Sequence, residues 1–161
     1  MTILILAMVT QGRHSEGFWS RFKAFFRGSG KEQRALSEKV FNLINDYRVS
    51  KSLVKLEWSS RAYKTASNHA TLMAKHRKDT KYNAEKKLKE LGGKAKISVL
   101  ERKTSTTNSD DVAKEIFNAW KDKSADVMNI LDDKAKFGAV AIRYVKSVKT
   151  YYSALVVSVN N

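Results

Sequence analysis

Two apolar runs close the chain with almost no space between them. Val140, Ile142 and Tyr144 alternate with Ala141 and Arg143, and Tyr151 to Val159 follows after a short turn near Lys146 to Thr150. Period-two alternation is the signature of a β-strand. A parallel return would need a crossover of about a dozen residues or more, so the two strands are expected to form an antiparallel hairpin. Ala95, Ile97 and Val99 alternate with Lys96 and Ser98 and read as a further strand.

Upstream of these strands the period changes from two to that of a helix. Leu36, Val40, Leu43, Ile44 and Tyr47 form a stripe over Lys31 to Val49. A second helix is expected over Ser60 to Arg77, capped by Ser59 or Ser60, with Ala62, Ala66, Ala70 and Met73 facing inward. A short charged helix is expected around Tyr82 to Leu91, stopped by Gly92 and Gly93. After a polar loop from Thr104, Ser109 is expected to cap another helix. Asp110 and Asp111 would then sit in its first turn, where the dipole favours negative charge. Its buried face would be Val112, Ile116, Ala119 and Trp120. Helices leading into strands and a tight final hairpin predict an α+β fold with an antiparallel sheet covered by helices.

The first residues, Met1 to Val9, are apolar but too few to span a bilayer. They fit the apolar part of a signal peptide without its usual basic flank, a buried strand, or a cloning remnant. Phe18, Phe22, Phe25 and Phe26 then recur at helical spacing among Arg21, Lys23 and Arg27, and Gly28-Ser29-Gly30 follows. This amphipathic basic stretch fits a spacer or a helix packed on the domain. It also fits a peripheral membrane contact through Phe18 to Arg27. The expected organisation is an N-terminal segment over 1–30 and one folded domain over 31–161.

The 161 residues suit one domain with a single core, but the formal net charge of +15 is unusual. The chain has no cysteine, which excludes disulfides, thiolate metal ligands and thiol nucleophiles. It has no proline, so its turns rest on Gly, Asn, Asp and Ser.

Several short patterns occur in a fixed order. They are Asn45-x-x-Arg48, then Leu53-x-x-Leu56-x-Trp58, then Ala66-x-x-His69-x-x-x-Met73. Trp120, the run Asn129-Ile130-Leu131, and Phe137-Gly138 with Val140 complete the series. In order and spacing the chain resembles the CAP superfamily (cysteine-rich secretory proteins, antigen 5 and pathogenesis-related 1 proteins) in a divergent bacterial form, over roughly Leu36 to Val159. The resemblance implies a three-layer α/β/α sandwich around a central antiparallel sheet. It also implies a cleft that in many members holds two histidines and two acids, sometimes with a divalent metal.

Most of those cleft positions are substituted. No histidine stands near Lys81 and Tyr82; His76 comes about five residues early. Glu101 matches the first acid, Lys121 and Lys123 occupy the region of the second, and Asp126 replaces the last histidine. His69 and His76 are seven apart on one helix, so their α-carbons lie about 10 Å apart, too far to share an ion easily. No metal site and no cofactor are expected. Glu101, Asp126 and His69 remain the weak candidates for an acid–base site, which would require them to converge. His69 also fits a buried, hydrogen-bonded helix residue. No hydrolase motif or phosphate loop occurs.

Lys75 to Lys103 carries eleven lysines and arginines against four acids. Lys75, Arg77, Lys78, Lys81, Lys86, Lys87, Lys89, Lys94 and Lys96 are the candidates for polyanion binding there. Tyr82 is the one aromatic in the stretch, which disfavours single-stranded nucleic acid. A plain solvated surface fits the same residues. The expected function is non-enzymatic binding at a bacterial surface or outside the cell. The basic face or a hydrophobic groove would engage an acidic polysaccharide, an anionic lipid or a host protein. Two alternatives are a hydrolase around Glu101, Asp126 and His69 and, on charge alone, a nucleic-acid-binding protein.

Overall fold

The computed structural model describes residues 30–77, 88–91 and 94–161. The readings on Met1 to Val9, His14, Phe18 to Arg27, the start of the helix at Tyr82, and Lys78, Lys81, Lys86 and Lys87 lie outside these residues. The chain divides into two compact units, Met1–Glu32 and Gln33–Asn161. The second unit carries the fold described below.

Helix α1 covers 30–50 and β1 is Glu57–Trp58. Helix α2 is Ser60–His76 and β2 is Lys96–Lys103. Helices α3, Ser109–Lys121, and α4, Ser124–Ile130, follow. Strands β3, Phe137–Val145, and β4, Thr150–Ser158, end the fold. The sheet order is β1-β3-β4-β2. The expected hairpin is present, with Val140 opposite Leu155 and Tyr144 opposite Tyr151. β2 pairs antiparallel with β4. The sheet is not wholly antiparallel: β1 joins its edge parallel to β3, through Glu57 opposite Phe137 and Trp58 opposite Gly138. Two residues are too few for alternation to show in sequence.

Strand alternation divides the core in two. Leu100, Val140, Ile142, Leu155 and Val157 point to α1, α3 and α4, where they meet Val40, Ile44, Ile116, Trp120 and Ile130. Ile97, Val99, Ala139, Ala141, Tyr152, Ala154 and Val156 point to α2, where they meet Ala62, Ala66, Ala70 and Met73. The result is the α/β/α sandwich. Gly138 sits where β1, β3 and α1 crowd together. A Cβ there would lie 3.0 Å from the Val156 carbonyl oxygen and 3.1 Å from Leu56 Cδ1, so only glycine fits without displacement.

Helix ends follow local chemistry. Ser59 caps α2, its Oγ accepting from the Ala62 N–H at 3.1 Å. Arg77 ends α2 in the left-handed region at φ 56. Ser109 does not cap α3. Asn108 does, its Oδ1 accepting from the N–H groups of Asp110 at 2.9 Å and Asp111 at 3.1 Å. The Asn amide reaches one residue further back, so Ser109 becomes the first helical residue. Ala113 joins Val112, Ile116 and Trp120 as fully buried on α3, and Ala119 packs partly buried against the same core.

Candidate functional site

The Asn45-x-x-Arg48 pattern builds the scaffold. Residues 36, 40, 44 and 48 run down one side of α1, and 37, 41 and 45 run beside them; all seven are buried. Periodicity read from apolar residues alone misses Asn45 and Arg48, because their partners are backbone groups on distant loops. Asn45 Nδ2 donates to the Leu56 carbonyl at 3.1 Å, and the Leu56 N–H donates to Asn45 Oδ1 at 2.8 Å. That pair fixes the approach to β1. Arg48 is 1% exposed. Its Nε donates to the Val54 carbonyl at 2.9 Å. Nη1 donates to the carbonyls of Ile130 at 2.7 Å and Asp132 at 3.0 Å, and Nη2 to that of Ala135 at 3.3 Å. A guanidinium with five fixed donors suits this task, and here it also meets the negative end of α4. Burial lowers its pKa, opposed by the charges of Asp132 and Asp133.

Asp132 locks the same loop. Its carboxylate lies 2.7 Å from Lys96 Nζ and accepts the Lys134 N–H at 3.0 Å. Burial pushes its pKa up, but the Lys96 hydrogen bond, the Lys134 N–H and both lysine charges outweigh it, and the net direction is down. Asn129 Nδ2 ties α4 to β2 through Ser98 Oγ at 3.0 Å.

Of the three acid–base candidates, Asp126 is set apart from the other two by the sheet. His69 is buried on α2 beside Ala66, Ala70 and Met73. Glu101 lies opposite Tyr152 in the sheet, on the α2 side, and is exposed. Asp126 is buried in the first turn of α4, in the layer across the sheet. Sheet and helix layers lie about 10 Å apart, beyond the hydrogen-bond or one-water reach that proton transfer needs. Tyr152, missed by the sequence reading, is buried beside Glu101. Burial raises its pKa, Glu101 adds to that, and Arg77 opposes it. Glu101 and Asp126, expected from the resemblance at an acid and a histidine position of the cleft, lie on opposite sides of the sheet, so they do not fit as ligands of one divalent ion. Among the described residues no group of three or more His, Asp or Glu is placed to hold a metal.

The basic candidates are also divided. Lys75 and Arg77 end α2. Lys89 precedes Glu90, whose carbonyl accepts from Arg61 at the other end of α2, at 3.0 Å. Lys96 is paired with Asp132. An open cavity of about 290 Å³ lies between α1 and α3, lined by Lys39, Asn42, Leu43, Asp46, Asp110, Ala113 and Lys114. Lys39 Nζ bridges its rim to Ser109 Oγ and Asp110 Oδ1, both at 2.6 Å. Its walls come from helices some seventy residues apart in the chain, so no local sequence pattern marks it.

This architecture defines an α/β/α sandwich domain in which a buried arginine fastens the loops of the α1, α3 and α4 layer. The model of the cysteine-rich secretory protein family, CAP, matches residues 41–159, and the chain belongs to that family. An outer surface protein of Borrelia burgdorferi shares the fold at 10% identity and TM-score 0.65, over 80% of this chain and 96% of that one. An extracellular SCP-domain protein of Bacillus anthracis is 15% identical with TM-score 0.60, over 78% of this chain and 41% of its own length. Venom allergen-like protein 4 of Schistosoma mansoni is 11% identical with TM-score 0.55, over 81% of this chain and 89% of that one. This chain thus spans about two-fifths of the Bacillus protein. A search of curated protein sequences returns no match.

Proposed function

We propose that this chain is a non-enzymatic CAP-domain protein, exported or displayed at a bacterial surface, that binds an acidic polymer of the envelope or host. The observation that carries this reading is the placement of Asp126 across the sheet from Glu101, which separates the two acids that the resemblance assigns to the cleft. The net charge of +15 supports a polyanionic ligand. Export is supported by two bacterial structures of the same fold, one described as an outer surface protein and one as extracellular.

Chromatography on immobilised heparin tests the binding. The protein is expected to be retained at low ionic strength and to elute as salt rises, because counterion release drives the association. Passage straight through the column in dilute buffer would reject the polyanion part. A hydrolase assay with divalent ions, run beside Glu101→Gln, tests the rest. Turnover that disappears in the variant would show an enzyme.

A further inference from the structure

Three strand ends and one helix end meet at a single pole of the sandwich. Lys103 and Val145 both lie opposite Thr150, closing β2 and β3 where β4 begins. A 3-10 turn, Lys146–Val148, joins β3 to β4, and Lys149 follows at φ 48. The Thr104 N–H donates to the Lys149 carbonyl at 3.4 Å, holding the exit of β2 against this turn. Helix α2 ends at the same pole. Arg143 Nη2 donates to Ser67 Oγ at 2.6 Å and Nε to Thr71 Oγ1 at 3.1 Å. Just past the end of α2, Arg77 acts electrostatically on Tyr152, the cross-strand partner of Arg143.

Lys75, Arg77, Arg102, Lys103, Lys146 and Lys149 are all exposed at this pole. Glu101 stands among them, and Glu115 lies 3.8 Å from Arg102. Three adjacent strands span about 10 Å. That is close to one Debye length at physiological salt, so these charges act on a ligand as one field. The α2 dipole accounts for Lys75 and Arg77, which complement its negative end. It does not account for Lys103, Lys146 and Lys149, which self-repulsion disfavours. An aromatic pair lies at the same strand ends on the opposite face, across the sheet from Lys103 and the end of α2. Tyr144, Tyr151 and Arg102 occupy one register row. The two tyrosine rings lie 4.5 Å apart with a tilt of 32°, and Tyr144 is 36% exposed.

The geometry points to this hairpin pole as the polyanion-binding surface, with an acidic polysaccharide as its ligand. The inference rests on the polyanion reading above and names its location and chemistry. Sulfate or carboxylate groups meet the lysines and arginines of the turn and strand ends, and a chain that passes over those ends to the other face meets Tyr144 with the C–H side of a sugar ring. One ring pair with a single exposed ring is fewer stacking platforms than a run of bases uses, which disfavours single-stranded nucleic acid. The turn presents Val148 as its exposed apolar side chain, too little to anchor in a lipid interface.

The test measures affinity for a size-defined heparin fragment across a salt series, with single-stranded DNA and anionic vesicles as competing probes. The triple variant Lys103→Glu, Lys146→Glu, Lys149→Glu is expected to bind about ten-fold more weakly or worse, with the log–log salt slope reduced by about 2–3. A matched control, Lys55→Glu, Lys64→Glu, Lys134→Glu, changes net charge equally on exposed residues elsewhere. It is expected to lose less than about three-fold, the share due to net charge. Tyr144→Ala is expected to weaken heparin binding at unchanged salt slope. Thermal melts check that each variant is folded. No binding by the unaltered protein would defeat the polyanion reading itself. Binding that falls equally in both triple variants would leave that reading standing and overturn the hairpin pole. Tighter binding of DNA or vesicles than of heparin at the same salt would overturn the ligand class.

Discussion

The two faces of the sheet are packed by opposite means. Toward α2, Ala62, Ala66 and Ala70 meet Ala139, Ala141 and Ala154, with Met73, Leu91, Ile97 and Tyr152 as the large members of the layer. Toward α1, α3 and α4, the contact is made by Trp120, Phe41, Ile116, Ile130, Ile142 and Leu155. Small side chains bring a helix backbone close to a sheet and leave no room for anything larger. Large side chains hold helices further off, and the layer then depends on filling the volume. The buried polar machinery follows the same division. Asn45 and Arg48 work on the large-residue side, where loops must be fastened to three helices. The difference teaches that one face is vulnerable to deletion and the other to insertion.

Trp120→Ala is the strongest way to break this contrast. The side chain is fully buried, and its loss is expected to cost about 4 kcal/mol of unfolding free energy by urea titration. A cost below about 1.5 kcal/mol would mean that the face collapses freely and is not a tight layer. Next comes Arg48→Met, which keeps much of the volume but leaves the carbonyls of Val54, Ile130, Asp132 and Ala135 without their donor. The expected loss is about 3 kcal/mol. Hydrogen exchange is expected to rise in the loop after α4 before it rises in the hairpin. On the alanine face the sign of the change reverses. Ala141→Leu adds apolar bulk yet is expected to destabilise by about 2 kcal/mol, because α2 cannot retreat from the sheet. Ala141→Leu as stable as the parent protein would show that this face has slack and would erase the distinction.

The smallest effect concerns pH. The Asp132 pKa is lowered in the folded protein, so its contribution is present above the unfolded value of about 3.9 and disappears as pH falls through the folded value. Lys96 is half exposed, so solvent screening holds the pair to about 0.5–1 kcal/mol. Asp132→Asn is expected to lower the melting temperature slightly at pH 6 and to leave it unchanged once pH is well below the folded value. A constant difference across that range would show that the Asp132 charge is not what fastens this loop.

Local order was legible in the residues themselves. The stripe of Ala62, Ala66, Ala70 and Met73, the Ser59 cap and the alternation around Val140 and Ile142 each depend on neighbours within a turn or a strand, and each is present. The family pattern was equally legible, because Asn45, Arg48 and Gly138 keep their spacing whatever their roles. Other features needed partners far along the chain. The burial of Arg48 depends on carbonyls more than eighty residues away. The two-residue β1 exists only because β3 offers it an edge. Whether Glu101, Asp126 and His69 meet was decided by which side of a sheet each element packs on. Lysines 103, 146 and 149 gather at one end because strand register is a long-range pairing, set by hydrogen bonds between strands and invisible to any window read along one of them.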